Sequence, residues 1–558
     1  MTSSLDNLRI FLWVGLGLLI WMCVQAWQAD YAPARRSDLP TPSAETALDE
    51  PETADLPALP ELEASPDTSA PLPGAPAPDV EPASSRIIRV RTDVLDVEIN
   101  PVGGELQSAA LIAYPEQKDK PDIPVTLLNR APAERFVVQS GLRAAEGRPE
   151  ANHRSPFTAD RDVYELAAGD DELTVRLTWE DPAGIAVEKI YTFKRRRYDI
   201  GLSQVVTNAG QEPYQAVSYL RIQRRHDPPS RSYFNVDSYS FTGPVAFDGE
   251  RYEKLDVDDL ADEPYEASQQ GAWIAAIQHH FLVAAVPASE NAANYRAVYD
   301  GQQYTLSAID AQLTTTEPGG KSEFAAKLFV GPKLQSQLRD TADGLALTVD
   351  YGKLTLLAQP LFWLLQKVFD IVGNWGWSII IVTFLIKLVF YKLTETSGRS
   401  MAKMRKLQPR MKALQERYKD DREAMSRALM DIYKQEKVNP VAGCLPMLIQ
   451  IPFFIAFYWV LLESVEMRQA PFMLWITDLS SRDPIFLLPL LMGGAMFLQQ
   501  KLNPAPPDPV QAKVMMFLPV VFTGMFAFFP AGLVLYWLTN SVLSILQQWR
   551  INKVLGAD

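Results

Sequence analysis

A single lysine, Lys387, interrupts a strongly apolar run, WSIIIVTFLIKLVFYKL, in this chain of 558 residues. The run approaches the ~20 apolar residues that a helix needs to cross a bilayer, where a buried cation costs at least ~2.5–3.5 kcal/mol. Thr383, Lys387, Tyr391 and Thr394 follow one another at steps that bring them to one face of a helix. Because polar groups at membrane depth must face protein or water, this stripe predicts a hydrophilic cavity. A lysine that snorkels to the cytoplasmic surface is the alternative interpretation.

A second polar stripe lies on the last apolar segment of the chain. Tyr536, Asn540, Ser544 and Gln547 repeat the spacing of the first stripe. Two helices with matching polar faces can line one groove, and hydrogen bonds between helices explain Asn540 and Ser544 about as well. Such bonds do not explain Lys387, for which the predicted spans contain no acidic partner.

Six apolar segments predict membrane-spanning helices and organise the chain. They are residues 10–27, 375–393, 441–462, 484–500, 514–529 and 531–548. Residues 1–27 are predicted to be an uncleaved N-terminal anchor, because the first segment lacks a clear signal-peptidase site. Residues 353–371 have the pattern of an amphipathic helix that lies in the membrane interface. The span 441–462 carries a polar residue, Gln450, between two prolines.

The segment before the second span divides into two parts of different composition. Residues 28–85 are rich in Pro and Ala and carry most of the net charge of −14, so a disordered acidic linker is predicted. From 86 to 340, short alternating apolar runs such as ELTVRLTWE are separated by Gly and Pro turns, which predicts an antiparallel β-sandwich. The adjacent His279 and His280 are expected to point to opposite faces of a strand. We therefore predict no metal site and no cofactor.

The distribution of positive charge predicts the orientation in the membrane. Residues 396–438 have the pattern of a basic helical hairpin, and the positive-inside rule makes this hairpin cytoplasmic. By alternation, both termini are cytoplasmic, including a short tail at 549–558, and the β domain is periplasmic. The expected location is therefore the bacterial inner membrane, which the chain crosses several times.

Five stretches of the membrane half resemble the YidC/Oxa/Alb family of membrane protein insertases. They are GNWGWSIIIVTF, SMAKMRKLQPRMKALQERY, EKVNPVAGCLPMLIQIPFF, VEMRQAPFMLWITDLS and FPAGLVLYW. With the β domain, they resemble the Gram-negative branch of the family. The resemblance implies a five-helix insertase core at 373–548 within a bundle of six transmembrane helices. It also implies that the periplasmic domain is an all-β supersandwich.

The resemblance also implies a groove that is open to the cytoplasm and to lipid and closed toward the periplasm. The resemblance assigns Lys387, Thr383 and Trp537, beside Tyr536, to this groove, and the polar residues of the predicted spans add Tyr391, Gln450 and Asn540 as candidate groove residues. The hairpin residues implied to receive the nascent chain or ribosome are Arg399, Lys403, Arg405, Lys406 and Arg410. The usual family arginine corresponds to Lys387, so the charge is kept but the guanidinium is not. A proline common in the family is replaced by Lys392.

The expected function is insertion of nascent membrane proteins from the cytoplasm into the inner membrane, alone or with the Sec translocon. No bond is made or broken, so the protein is not expected to be an enzyme. Expected partners are nascent membrane proteins, the Sec translocon, the ribosome, the signal-recognition-particle receptor and membrane lipids, without specific DNA binding. One alternative is a secondary transporter that uses Lys387 as a midplane substrate or proton site. Another is a membrane-anchored sugar enzyme whose active part is the β domain.

Overall fold

The computed structural model describes residues 86–145, 147–227, 240–418, 422–436, 441–502 and 509–555. The predicted anchor (1–27) and the predicted acidic linker (28–85) lie outside these residues. The predicted hairpin turn lies partly outside them, because residues 419–421 are not described.

The first part of the described chain consists mainly of β-strands. The strands are β1 (Ile88–Arg91), β2 (Leu95–Asn100), β3 (Glu105–Gln117), β4 (Lys120–Leu128), β5 (Phe136–Ala144), β6 (Thr158–Ala159), β7 (Val163–Glu165), β8 (Glu172–Glu180), β9 (Ile185–Lys194), β10 (Asp199–Asn208), β11 (Tyr214–Arg225), β12 (Gly243–Phe247), β13 (Tyr252–Lys254), β14 (Tyr265–Gln270), β15 (Trp273–Ile277), β16 (Phe281–Pro287), β17 (Ala292–Tyr299), β18 (Gln303–Asp310), β19 (Thr314–Thr316) and β20 (Lys321–Pro332). Along β9 and β10, buried residues alternate with half-buried ones, because successive side chains point to opposite faces of a sheet.

These strands form two sheets that pack face to face. The eleven-stranded sheet has the order β14-β17-β18-β11-β5-β3-β2-β1-β7, with β19 beside β11 and β4 beside β3. The nine-stranded sheet has the order β13-β12-β15-β16-β20-β10-β9-β8-β6. Leu220, Val283 and Leu306 lie between the sheets and are fully buried. The predicted all-β sandwich is therefore confirmed.

The two adjacent histidines lie in a turn, which corrects the expectation that they occupy a strand. Strand β15 ends at Ile277 and β16 begins at Phe281, and the Gln278 N–H donates to the Phe281 carbonyl. Because the chain reverses here, His279 and His280 do not alternate across a sheet. Their rings stack with centroids 3.7 Å apart. Burial lowers the pKa of His279 to about 4, so it is neutral at pH 7.

The second part of the described chain consists mainly of helices. The described residues contain α1 (Val257–Asp262), α2 (Gln335–Thr341), α3 (Thr355–Val372), α4 (Trp375–Val389), α5 (Tyr391–Arg417), α6 (Arg422–Gln435), α7 (Val441–Glu463), α8 (Leu487–Leu502), α9 (Pro509–Phe526) and α10 (Ala531–Leu555). Among them, α3 is long and apolar enough to cross a membrane as a single helix. Helix α4 and the first part of α5 are long and apolar enough together, as a bent pair. The expectation that α3 lies in the interface stays a prediction.

The segment 375–393 is bent, which corrects the expectation of one continuous helix. Helix α4 ends at Val389, α5 begins at Tyr391, and their axes differ by 64°. Phe390 between them has φ −88° and ψ 9°, outside the helical region, and its carbonyl accepts the first bond of α5 from the N–H of Thr394. No proline causes this bend, since the segment contains none and position 392, after Tyr391, is a lysine. As a result, Thr394 and Tyr391 lie on a different helix from the rest of the first polar stripe.

The loop between α7 and α8, residues 464–486, joins the helices to the β-sandwich. Nη2 of Arg468 donates to the Pro115 carbonyl over 2.9 Å, and Nε2 of Gln469 donates to the same carbonyl over 3.1 Å. Pro115 belongs to β3. A second contact brings the hydroxyl of Tyr351 to within 3.4 Å of the Ser464 hydroxyl. This α7–α8 loop is therefore held by the sandwich on one side.

Candidate functional site

Two polar side chains, Lys387 on α4 and Ser544 on α10, meet between the helices. Nζ of Lys387 donates to Oγ of Ser544 over 2.8 Å, and Ser544 donates to the Asn540 carbonyl over 2.7 Å. Lys387 is only 9 % exposed. In the described part of the chain, no carboxylate lies close enough to form an ion pair with it. Within the described residues, the site therefore contains a positive charge without a counter-ion.

The other members of the first stripe lie on either side of Lys387. Thr383, one turn before it, is buried and donates to the Ile379 carbonyl over 2.6 Å. Tyr391 follows the bend, and its carbonyl accepts a bond of 3.4 Å from Nε2 of Gln547 on α10. Residues of α10 therefore contact the chain on both sides of the bend.

Helix α7 passes close to the bend and carries the predicted polar residue. Gln450 and Asn540 are both half-buried. The ring of Phe453, one turn after Gln450, lies 5.1 Å from the ring of Phe390. The bend is therefore lined by α7 as well as by α10.

Tyr536 and Trp537 belong to an aromatic layer. The Tyr536 ring stacks on Phe457 at 4.6 Å between centroids and lies 5.8 Å from Phe454. The Trp537 ring meets Phe454 edge-on at 4.5 Å and lies 5.2 Å from Phe526. Sequence reasoning missed this layer. The signal was the spacing of Phe454 and Phe457 in PFFIAFYW, since residues three apart lie on the same face of a helix.

The α7–α8 loop covers the beginnings of α4 and α10. Asn374 caps α4 by accepting from the Trp377 N–H over 3.1 Å, and its side-chain amide donates to the Phe472 carbonyl over 2.9 Å. The Ala531 N–H at the beginning of α10 donates to the Ser481 carbonyl over 2.7 Å. The unpaired N–H groups that begin a helix are thus used to attach the loop. The α7–α8 loop therefore closes the end of the helices at which α4 and α10 begin, and Lys387 lies on the far side of it.

The predicted basic hairpin consists of α5 and α6, and part of its charge is paired. Nη2 of Arg399 lies 2.6 Å from Oε1 of Glu395, and Nη1 of Arg410 lies 2.9 Å from Oε1 of Glu436. Exposed ion pairs of this kind contribute little stability, and each neutralises the charge of its arginine locally. Lys403 and Lys406 have exposed side chains, and the side chain of Arg405 lies outside the described residues.

The chemistry that these groups can perform is electrostatic. Among the described residues, no group of three or more His, Cys, Asp or Glu side chains is placed to hold a metal ion. A buried ammonium beside a neutral hydroxyl can attract and orient an anion.

Comparison with known proteins covers both parts of the chain. Residues 87–364 match the family model described as YidC periplasmic domain, and residues 367–557 match 60Kd inner membrane protein. A membrane protein insertase YidC from Thioalkalivibrio sulfidiphilus is 47 % identical, with 98 % of each chain covered. One from Nitrosococcus oceani is 46 % identical over 99 % of this chain and 100 % of the relative. The chain belongs to the YidC family of membrane protein insertases.

The family membership establishes the general character of the protein. Members of the family are inner membrane proteins with a periplasmic domain, and they are insertases, not enzymes. A solved structure titled as an active YidC insertase has a TM-score of 0.38 and 18 % identity, and covers 83 % of this chain and 92 % of that one. A galactose mutarotase related enzyme from Lactobacillus acidophilus has a TM-score of 0.30 and covers 44 % of this chain.

Proposed function

We propose that the protein inserts nascent membrane proteins from the cytoplasm into the inner membrane through a hydrophilic groove whose attracting group is the Lys387 ammonium. The observation that carries this proposal is that Lys387 donates to a neutral hydroxyl and, among the described residues, faces no carboxylate. An uncompensated charge at membrane depth is costly, so its presence there favours a functional role. A client's short acidic tail is the group that would gain most from it.

The depth of the charge supports a groove that is open toward the cytoplasm. Lys387 lies twelve residues after Trp375, which begins α4, or roughly 18 Å along the helix at 1.5 Å per residue. Trp375 lies beside the end that the α7–α8 loop covers. With Trp375 at the periplasmic boundary, roughly 12 Å of the ~30 Å hydrocarbon layer remains on the cytoplasmic side. The 64° bend that follows Lys387 directs the chain away on that side.

The packing of the α7–α8 loop supports closure on the opposite side. Its carbonyls accept from Asn374 before α4 and from Ala531 in α10. A tail that enters from the cytoplasm would therefore stop at this loop, and it would cross fully only when the client's apolar segment leaves the groove for lipid.

The apolar outer faces of α8 and α9 support a sideways exit into lipid. Leu490 is 61 % exposed and Phe517 is 63 % exposed, although both are large apolar side chains. Such residues are stable in a bilayer, where the surroundings are as apolar as they are. A client segment of ~20 apolar residues gains ~0.8 kcal/mol for each CH₂ group that it transfers to lipid. Summed over the segment, this gain exceeds the cost of moving one tail charge.

The proposal includes the orientation, partners and domains expected from the sequence. The α5–α6 hairpin would be cytoplasmic and would meet the ribosome, the signal-recognition-particle receptor or anionic lipid. The β-sandwich would be periplasmic, both termini would be cytoplasmic, and the Sec translocon would be a partner for some clients. The first span and the linker, outside the described residues, would tether the sandwich.

The test uses two substitutions at Lys387 in a strain that lacks its own insertase. The client is a small membrane protein with an acidic translocated tail. Lys387→Glu reverses the charge and should slow insertion at least tenfold, since ~1.4 kcal/mol of lost attraction already has that effect. Lys387→Arg keeps the charge and should support insertion. Normal insertion by Lys387→Glu would contradict the proposed role of the ammonium.

A further inference from the structure

The contact between Lys387 and Ser544 joins two residues that are 157 positions apart in the chain. The ammonium donates to Ser544 Oγ, while the Ser544 hydroxyl donates its own hydrogen to the Asn540 carbonyl one turn earlier. This second bond fixes the rotation of the hydroxyl, because its single hydrogen is used. A lone pair of the oxygen therefore faces the ammonium, and the serine acts toward Lys387 as an oriented acceptor.

A lysine at this place needs something to hold its charge. The ammonium ends a flexible four-carbon stem, and such stems extend toward water whenever they can reach it. Helix α4 ends at Val389, two residues after Lys387, so the stem could turn past the bend toward the cytoplasmic side. The bond to Ser544 keeps the ammonium between α4 and α10 instead.

The neutrality of Ser544 matters as much as its position. A carboxylate at 544 would hold the ammonium more strongly, but it would cancel the charge that a client's acidic tail needs. A hydroxyl uses one of the three N–H donors and leaves the full positive charge. The Gln547 bond to the Tyr391 carbonyl joins α10 to the beginning of α5, just past the bend, so α10 is held on both sides of the bend and the hydroxyl keeps its place beside α4.

We propose that Ser544 is a positioning residue for insertion: its hydroxyl holds the Lys387 ammonium within the groove, and it thereby sets the preference for clients with acidic tails. This inference rests on the proposed function, because it assigns a role to the group that positions the attracting charge. It goes further by assigning client selectivity to a residue of α10 that would not itself carry charge.

The first test compares Ser544→Thr with Ser544→Val, which have the same shape and differ in the hydroxyl. Each is produced as the full chain in a strain that lacks its own insertase, with two clients that differ only in an acidic or neutral translocated tail. Ser544→Thr should behave as the parent. Ser544→Val should slow insertion of the acidic client about tenfold or more, as expected for the loss of one hydrogen bond to a charged group, and should leave the neutral client unchanged. A purely structural role of Ser544 would slow both clients equally and would overturn the inference.

The second test moves the charge between the helices, and it also decides the case if Ser544→Val does not accumulate. Lys387→Ser alone should abolish the preference for the acidic client. Adding Ser544→Lys returns an ammonium to the same point from α10, with a serine hydroxyl now on α4, and should restore the preference. Failure of this restoration, with both variants present at parental levels in the membrane, would overturn the inference.

Lys387→Met separates this inference from the function on which it rests. If Lys387→Met slows the acidic client and Ser544→Val does not, the inference about Ser544 is wrong and the proposed function stands. If Lys387→Met has no effect on the acidic client, the proposed function is wrong and the inference is wrong with it.

Discussion

The contact between α8 and α9 depends on the absence of one side chain, and this gives a sharp prediction. Gly493 is buried on α8, where an added Cβ would lie 2.0 Å from Oγ1 and 3.2 Å from Cβ of Thr523 on α9. The next residue, Gly494, has no atom within 4 Å of the corresponding position. Gly493→Ala should therefore force the two helices apart, and Gly494→Ala should not.

The expected magnitude follows from the difference between these neighbours. Overpacking of a close contact costs ~1–3 kcal/mol, and replacing a helical glycine by alanine gains ~0.5–1 kcal/mol. The gain applies to both variants and cancels when they are compared. Thr523 cannot easily move its hydroxyl, because it is β-branched and donates to the Pro519 carbonyl over 2.7 Å. Gly493→Ala should thus be less stable than Gly494→Ala by ~1–3 kcal/mol.

The assay is denaturant-induced unfolding of the purified full chain in detergent micelles, with both alanine variants beside the parent. A rescue variant combines Gly493→Ala with Thr523→Ala, which removes the hydroxyl and leaves the carbon at 3.2 Å. This rescue should recover most of the loss. Equal midpoints for Gly493→Ala and Gly494→Ala would refute the reasoning, because they would mean that α8 and α9 do not meet at Gly493.

Two further predictions concern the β-sandwich and its attachment. Arg468→Ala removes a charged donor to the Pro115 and Glu116 carbonyls, so hydrogen exchange at the end of β3 should speed up as ~1.5–3 kcal/mol of attachment is lost. The exposed Arg482→Ala on the same loop is the control, and equal exchange in both variants would show that the attachment lies elsewhere. Lys189 is buried between the Gly103 and Ser140 carbonyls, and burial lowers its pKa to about 7. In the unfolded chain, Lys189 keeps its proton up to its pKa of ~10.4. The free-energy cost of burying its ammonium therefore destabilises the fold fully below pH 7, and this cost decreases as the pH rises toward 10. Protection of β9 should therefore increase over that range in the parent but not in Lys189→Met, and an equal increase in both would contradict this assignment.

Much of the fold follows from local patterns in the sequence. Alternating apolar residues predicted the strands of the sandwich, and long apolar runs predicted the segments that α7 to α10 occupy. Both patterns report which face of an element is buried, which requires only the local period. The two polar stripes predicted that α4 and α10 share a polar seam, and Lys387 and Ser544 do meet.

Other features depend on residues that are distant in the chain. The bend at Phe390 arises without a proline, in a segment whose periodicity is that of one helix. The turn at His279 falls on the polar residues between two apolar runs, but these residues include none of the Gly, Pro, Asn or Asp that usually mark a hairpin. Tyr536 has the spacing of a polar stripe, yet its ring packs on Phe457 of another helix.

The amino-acid sequence by itself determined most element types, their order, the family and the position of the lysine within an apolar run, since each of these depends on residue types and local spacing. The tertiary structure decided which acceptor faces Lys387, where its helix bends and how the sandwich attaches through Arg468. These depend on distances between segments, and a local period contains no information about distances across 157 residues.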